Sequence, residues 1–209
     1  MTLRAILPSA VVVAETTEDE VNQGLLPDEA TALGRVSDRR RRDFTAGRLC
    51  ARRALARLGL PATPILPGPD RAPRWPPGIV GSITHCEGYC AAAVARRKSI
   101  AALGIDAEPD AALPDDVFAL ITRPEERTWL HGRPDSLHWA RVIFSAKEAV
   151  FKAWSARTGQ WLDFAEIRIA IDLDGGGFRA ALNVATSLGI DGRYRRGGGL
   201  VLTAVAIEA

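Results

Sequence analysis

The apolar positions change period several times along the chain, and each change marks an element. Between Phe44 and Leu58 they recur three or four apart, through Cys50 or Ala51 and Leu55, which gathers one face of an α-helix. Ser37 stands where an N-cap belongs and Gly59 follows the last apolar residue, so a long helix is predicted over about 37–58, with Gly47 tolerated inside it. The same spacing returns from Ser136 to about Arg157: Ile143, Val150 and Trp154 form one stripe, Phe144 and Phe151 flank it, and Thr158-Gly159 ends it. Shorter helices are predicted around Phe118 and Trp129, the second opened by Pro124.

Elsewhere the pattern suits strands. The Val and Ala of "SAVVVAE" predict a first one; "IVGSITH", "YCAAAVARR" and "SIAALGIDAE" predict three more, the last ending in acids. Beyond the second long helix come "EIRIAID", "FRAAL" and a final "LVLTAVAIE", with glycine-rich turns at 175–177 and 197–199. Residues 15–36 read as loop with one short helix. The stretch "LPATPILPGPDRAPRWPPG" holds too much proline for an interior element and reads as an ordered surface connector.

A long helix followed by strands thus occurs twice, at 37–96 and 136–207, with no identity between the two copies. The predicted class is α+β with antiparallel strands. Length and composition agree: 209 residues, 47% hydrophobic and 25% charged, exclude fibrous, disordered and membrane-spanning chains. Arg4 and the apolar run after it resemble a secretory leader, but Pro8 and Ser9 interrupt the run and a strand suits it better. Three cysteines, Cys50, Cys86 and Cys90, are an odd number and predict free thiols in a reducing cytoplasm. The net charge of +2 is unevenly spread, with Arg39 to Arg42 unbroken and acids gathered in 15–20 and 106–116. That argues against wholesale nucleic-acid coating and for a local anion site.

Four stretches carry candidate chemistry. In "LGIDAE" the strand period of two puts Asp106 and Glu108 on one side, a pair of hard oxygen donors suited to Mg²⁺. In "FSAKEAVFKAW" Glu148 and Lys152 share a helix edge among bulky apolar neighbours, either a surface ion pair or the rim of a cleft. "GSITH" offers open backbone N–H groups and His85 to an anion, against the plainer reading of a structural histidine at a strand end. Arg40 and Arg48 lie on roughly one helix face and would grip a phosphate between them, where a solvated arginine run is the bland alternative. His85-Cys86 with Cys90 lacks the second ligand pair of a zinc site, His131 and His138 have no partner motif, and neither glycine run precedes a helix.

Taken together, "GIDAE" followed about 35 residues later by "FSAKEAVFKAW" resembles the paired signature of 4′-phosphopantetheinyl transferases. "RRDFTAGRLCARRAL", "WPPGIVGSITHC" and "WLDF" resemble the enterobactin-synthetase-component and mycobacterial branch, which serves siderophore, peptide and polyketide synthesis. The resemblance covers about 37–207 in order. It implies two similar α/β half-domains related by a pseudo-two-fold axis, divided here as 1–105 and 106–209, with the active site in the cleft between them. It also implies Mg²⁺ (or Mn²⁺), coenzyme A as substrate, an apo acyl or peptidyl carrier protein as partner, a monomer, and neither nucleic acid nor membrane. Carried over by residue, Asp106, Glu108 and Glu148 would hold the metal, and Glu148 would accept the serine proton. Lys147 and Lys152 would face the pyrophosphate, Lys152 as acid; Thr84 and His85, with Arg40 and Arg48, would contact the other phosphates. Relatives often carry a lysine in the loop after the long helix; here "LPGPDRAP" offers Arg71, or backbone groups around Gly68 and Asp70, instead. Two other readings compete: an anion or nucleic-acid-binding module led by the arginines, and a metal-dependent phosphohydrolase using the same acids.

Overall fold

The computed structural model describes residues 2–17, 24–183 and 188–209. Ser37 caps the first long helix as its hydroxyl accepts from the Arg40 amide at 3.3 Å, and α2 runs Asp38–Arg57 after a short α1 at Pro27–Leu33. Two short helices, α3 (Asp115–Ile121) and α4 (Pro124–Leu130), lead to α5 (Ser136–Thr158), which Gly159 ends at a left-handed φ of 67°. The helices therefore lie where their apolar spacing predicts.

Among the described residues two antiparallel sheets are present. The first has the order β1-β3-β2, from β1 (Val12–Thr16), β2 (Ile79–Cys86) and β3 (Tyr89–Arg96). The second has the order β4-β8-β7-β6-β5, from β4 (Ile100–Pro109), β5 (Ile167–Asp172), β6 (Gly177–Leu182), β7 (Leu188–Gly197) and β8 (Leu200–Glu208). The predicted α+β class with antiparallel pairing holds. The division expected after 105 falls inside β4, which pairs with β8 along its whole length; the chain passes between sheets at the turn after Arg96.

Strand β7 was not predicted. Its sequence "LGIDGRYRRG" carries three glycines and four charges, and among the described side chains Ile190 and Tyr194 are the buried ones. Gly192 is required there, because a Cβ would lie 2.1 Å from the Phe178 ring of β6. The packing neighbour, not local propensity, makes this segment a strand.

The layers run helix, sheet, sheet, helix. Ala92 and Val94 of β3 pack toward α2 with Cys50, Ala54 and Leu55. Their neighbours Ala91, Ala93 and Ala95 turn to the second sheet and meet Leu103, Ile105 and Ala107 of β4. The run of alanines lets the sheets approach closely, and burial of both faces explains why "YCAAAVA" shows no polar alternation. The outer face of the second sheet packs on Ile143, Val150 and Ala153 of α5. The Pro-rich connector is ordered as expected: Pro67 and Pro73 bridge across a turn, and Ile65 is fully buried.

Candidate active site

The side of β4 that faces α5 carries, at the strand period of two, Gly104, Asp106 and Glu108. Gly104 sets how near the helix comes. A Cβ there would stand 1.9 Å from the Ala149 carbonyl oxygen, so the helix backbone rests directly on the strand. With Ala149 fixed over Gly104, Glu148 and Lys152, one turn apart, are delivered beside Asp106.

Asp106 is buried, and its carboxylate is held from two elements. Lys152 Nζ donates to Oδ1 at 2.7 Å and Ser145 Oγ to Oδ2 at 2.8 Å, both from α5. From β2, Thr84 Oγ1 donates to Oδ1 at 3.3 Å while accepting the Ala107 amide at 3.0 Å. Thr203 of β8 stands behind, donating to the Ser145 carbonyl at 2.8 Å. Ser82 Oγ likewise accepts the Ile105 amide at 3.1 Å, so two β2 hydroxyls take β4 amides where no backbone ladder joins the sheets.

Glu108 is turned onto Arg141 of α5, with Nη1 and Oε2 2.9 Å apart. Burial nevertheless pushes the Glu108 carboxyl up to about 7, helped by the Asp106 and Glu148 charges and only partly opposed by Arg141. Glu148 is also raised, by burial first and Asp106 next, against Lys152. Burial alone would lower Lys152, but Asp106, Glu148 and Glu108 outweigh it and hold the ammonium above its usual range.

A cleft of about 1160 Å³ opens beside Lys152 between α2 and the C-terminal part of α5. One wall is α2, where Arg40 and Arg48 lie on either side of Phe44, their guanidinium carbons 5.9 and 4.0 Å from its ring centroid. Arg48 is buried, and its Nε donates to the Ile65 carbonyl at 2.6 Å; burial lowers it to about 10. His85 lies on the floor with Nε2 3.5 Å from Asp43, and burial lowers its pKa while Asp43 opposes. Asp70, Arg71 and the exposed Trp161 complete the rim.

Three expectations are corrected. Lys147 does not face the cleft: it is 0% exposed, and its ammonium donates to Glu126 at 2.8 Å, the Ile121 carbonyl at 2.7 Å and the Phe164 carbonyl at 3.2 Å. Helical geometry puts residue 147 about 100° from 148, which turns it to the interior. Thr84 is not open to a phosphate, because its hydroxyl is committed to Asp106 and Ala107. The Gly68 amide closes the turn on the Ala72 carbonyl at 2.7 Å and is not offered to a ligand. Sequence reasoning missed Arg141, Ser145 and Thr203, and also the link of Asp110 to His138 at 3.0 Å and Arg196 at 2.8 Å. The stretch "HWARVIFSAKE" holds a signal for Arg141, seven residues or two turns before Glu148.

Three carboxylates, Asp106, Glu108 and Glu148, face two cations, Lys152 and Arg141. Hard oxygen donors carrying one uncompensated charge fit a divalent cation such as Mg²⁺. As they stand, no group of three acids, histidines or cysteines among the described residues is gathered closely enough to hold a metal ion. No helix among the described residues is long and apolar enough to cross a membrane.

Buried carboxylates paired to a lysine that lines the cleft, with arginines along the cleft wall, suit the class of phosphoryl-linked group-transfer proteins. Comparison with known proteins narrows the class. The family model described as 4′-phosphopantetheinyl transferase N-terminal domain matches residues 28–95, and that of the 4′-phosphopantetheinyl transferase superfamily matches 102–196. The 4′-phosphopantetheinyl transferase Svp of Streptomyces mobaraensis is 48% identical, over 99% of this chain and 89% of that protein. The transferase Npt of Nocardia iowensis is 41% identical over 98% and 99% respectively, and PptT of Mycobacterium tuberculosis 40% over 97% and 96%. The chain belongs to the 4′-phosphopantetheinyl transferase superfamily, in its secondary-metabolism type.

Proposed function

We propose that the protein moves the 4′-phosphopantetheine arm of coenzyme A onto a serine of apo acyl or peptidyl carrier proteins, with Mg²⁺ required and adenosine 3′,5′-bisphosphate released. The observation that carries this reading is the ion pair of Asp106 with Lys152, next to Glu148 in charge interaction, where Lys152 enters a cleft walled by Arg40 and Arg48. The serine oxygen forms the new P–O bond at the phosphorus that bears the pantetheine arm, and the bond from that phosphorus to the nucleotide phosphate oxygen breaks. Glu148 takes the serine proton, directly or through one water; the burial that raises its pKa also makes it a better base than a solvated carboxylate. Lys152, held above its usual pKa, stays charged and donates a hydrogen bond to the departing phosphate.

Arg40 and Arg48 neutralise phosphates along the cleft, and His85 adds a hydrogen-bonding group whose lowered pKa keeps it uncharged unless a phosphate lies against it. Asp70 and Arg71, which also line the cleft, would face the nucleotide. Asp106, Glu148 and Glu108 would hold the Mg²⁺, whose chemistry there is to offset pyrophosphate charge. The two raised-pKa carboxyls, Glu108 and Glu148, support that assignment, since a nearby dication relieves the cost of their ionisation.

The test is a mass assay with apo carrier proteins from siderophore, polyketide and peptide pathways. Wild-type protein with Mg²⁺ and coenzyme A is expected to add one phosphopantetheine mass, and Glu148→Gln to lose about 10²–10⁴-fold in rate. Near-full activity of Glu148→Gln would rule out its role as base. Phosphate release from coenzyme A without any carrier would favour a phosphohydrolase instead.

A further inference from the structure

Arg141 has no part in the transfer described above, yet it is the most firmly held cation beside the acids. Its three nitrogens are all engaged: Nη1 with Glu108 at 2.9 Å, Nε with the Ala111 carbonyl at 3.2 Å and Nη2 with the Ala112 carbonyl at 2.9 Å. The two carbonyl contacts anchor the guanidinium to the segment after β4 whether or not Glu108 is present. The pair is mostly covered, with side chains 15% and 21% exposed, so solvent screens it only partly. Glu108 is the one acid of the three paired to a cation that makes no contact with Asp106.

We propose that Arg141 is a built-in counter-ion that holds Glu108 and weakens the acidic cluster's affinity for a divalent cation, so that the cation is retained firmly only together with a bound pyrophosphate. The proposal rests on the metal-dependent reading above. With the three carboxyls ionised, as cation binding requires, the cluster of Asp106, Glu108, Glu148 and Lys152 carries a net charge of −1 with Arg141 and −2 without it. Removing the guanidinium both deepens the negative potential and frees Glu108 to turn toward the other two acids. A full charge a few ångströms from a dication in a partly covered site changes affinity by about tenfold or more. A device of this kind makes metal retention depend on substrate, which the carboxylates alone would not do.

The experiment measures binding of Mn²⁺ alone to the full chain, without coenzyme A, by loss of the free-ion electron paramagnetic resonance signal. Arg141→Met and Arg141→Gln are each expected to bind Mn²⁺ at least about tenfold more tightly than wild type. The glutamine variant keeps a donor for the loop carbonyls and guards against a folding defect of the methionine one. Adding Glu108→Gln to Arg141→Met is expected to return the affinity to within about threefold of wild type. Equal or weaker Mn²⁺ binding in both folded variants overturns the proposal, as does a gain that survives Glu108→Gln. This readout is separate from the mass assay: a wild type that fails to modify any carrier overturns the functional reading, whatever the Mn²⁺ affinities are.

Discussion

The Glu108 carboxyl gives a test of whether burial or the Arg141 pair controls the acidic cluster. Its pKa in the folded protein is about 7 against an ordinary 4.5, burial being the largest cause. The fold therefore binds the Glu108 proton more tightly than the unfolded chain does. Protonated Glu108 favours folding, and that contribution is complete below about pH 4.5 and lost as pH rises through about 7. The full difference is roughly 2.5 units, or about 3 kcal/mol at 1.36 kcal/mol per unit. Residual solvation of a side chain that is 21% exposed brings the expected value to about 1–3 kcal/mol. The assay is urea denaturation of wild type and Glu108→Gln with EDTA, at intervals from pH 5 to pH 8. Taking the difference between the two proteins cancels most other titrating groups. Wild type is expected to lose about 1–3 kcal/mol relative to Glu108→Gln across that range. A flat difference would refute the dominance of burial. A difference of opposite sign would mean that Arg141 lowers the Glu108 pKa below its ordinary value, and the charge count of the cluster would need revision.

Two further outcomes follow from the helix that carries the site. Lys147→Met strands the buried Glu126 carboxylate and is expected to cost about 3–5 kcal/mol in urea denaturation, with Lys147→Met/Glu126→Gln recovering part of it; a loss below about 1 kcal/mol would show that the pair is dispensable. Gly104→Ala puts a methyl 1.9 Å from the Ala149 carbonyl and must push α5 off β4, so the transfer rate in the mass assay should fall along with thermal stability. Wild-type turnover in a destabilised Gly104→Ala protein would contradict the placing of Glu148 by this contact.

What was legible in the sequence follows from how local each cause is. The caps and stripes of α2 and α5 are written in residues a turn apart, and both helices lie where Ser37 and Gly159 put them. Strand β7 was not legible, because Gly192 makes sense only against Phe178 of the neighbouring strand. At the site, Asp106 and Glu108 on one strand face and Glu148 with Lys152 on one helix edge could be read from periods of two and 3.6. Lys147 is set beside Lys152 by the resemblance alone, and its own neighbours do not tell the two apart. Its partner, Glu126, lies 21 residues away on a short helix that also accepts the Ile169 amide, and nothing in "SAKEA" announces it.

That buried pair also explains how the site keeps its shape. Lys147 ties α5 to the end of α3, to α4 and to the turn before β5, while its neighbour Glu148 is left with no hydrogen bond to its side chain among the described residues. Ser145, three residues before Glu148, is held by Asp106 and Thr203. Ser145 and Lys147, fixed on opposite sides of Glu148 around the helix axis, limit rotation of the helix, and Gly104 limits its distance from the strand. A carboxylate with no partner of its own, on a backbone that cannot roll or lift, is held ready for a ligand without being occupied by the protein. The same reasoning separates the two lysines: Lys147 makes all three of its contacts inside the fold, and Lys152, which pairs with Asp106 and lines the cleft, is the one we propose faces the reacting group.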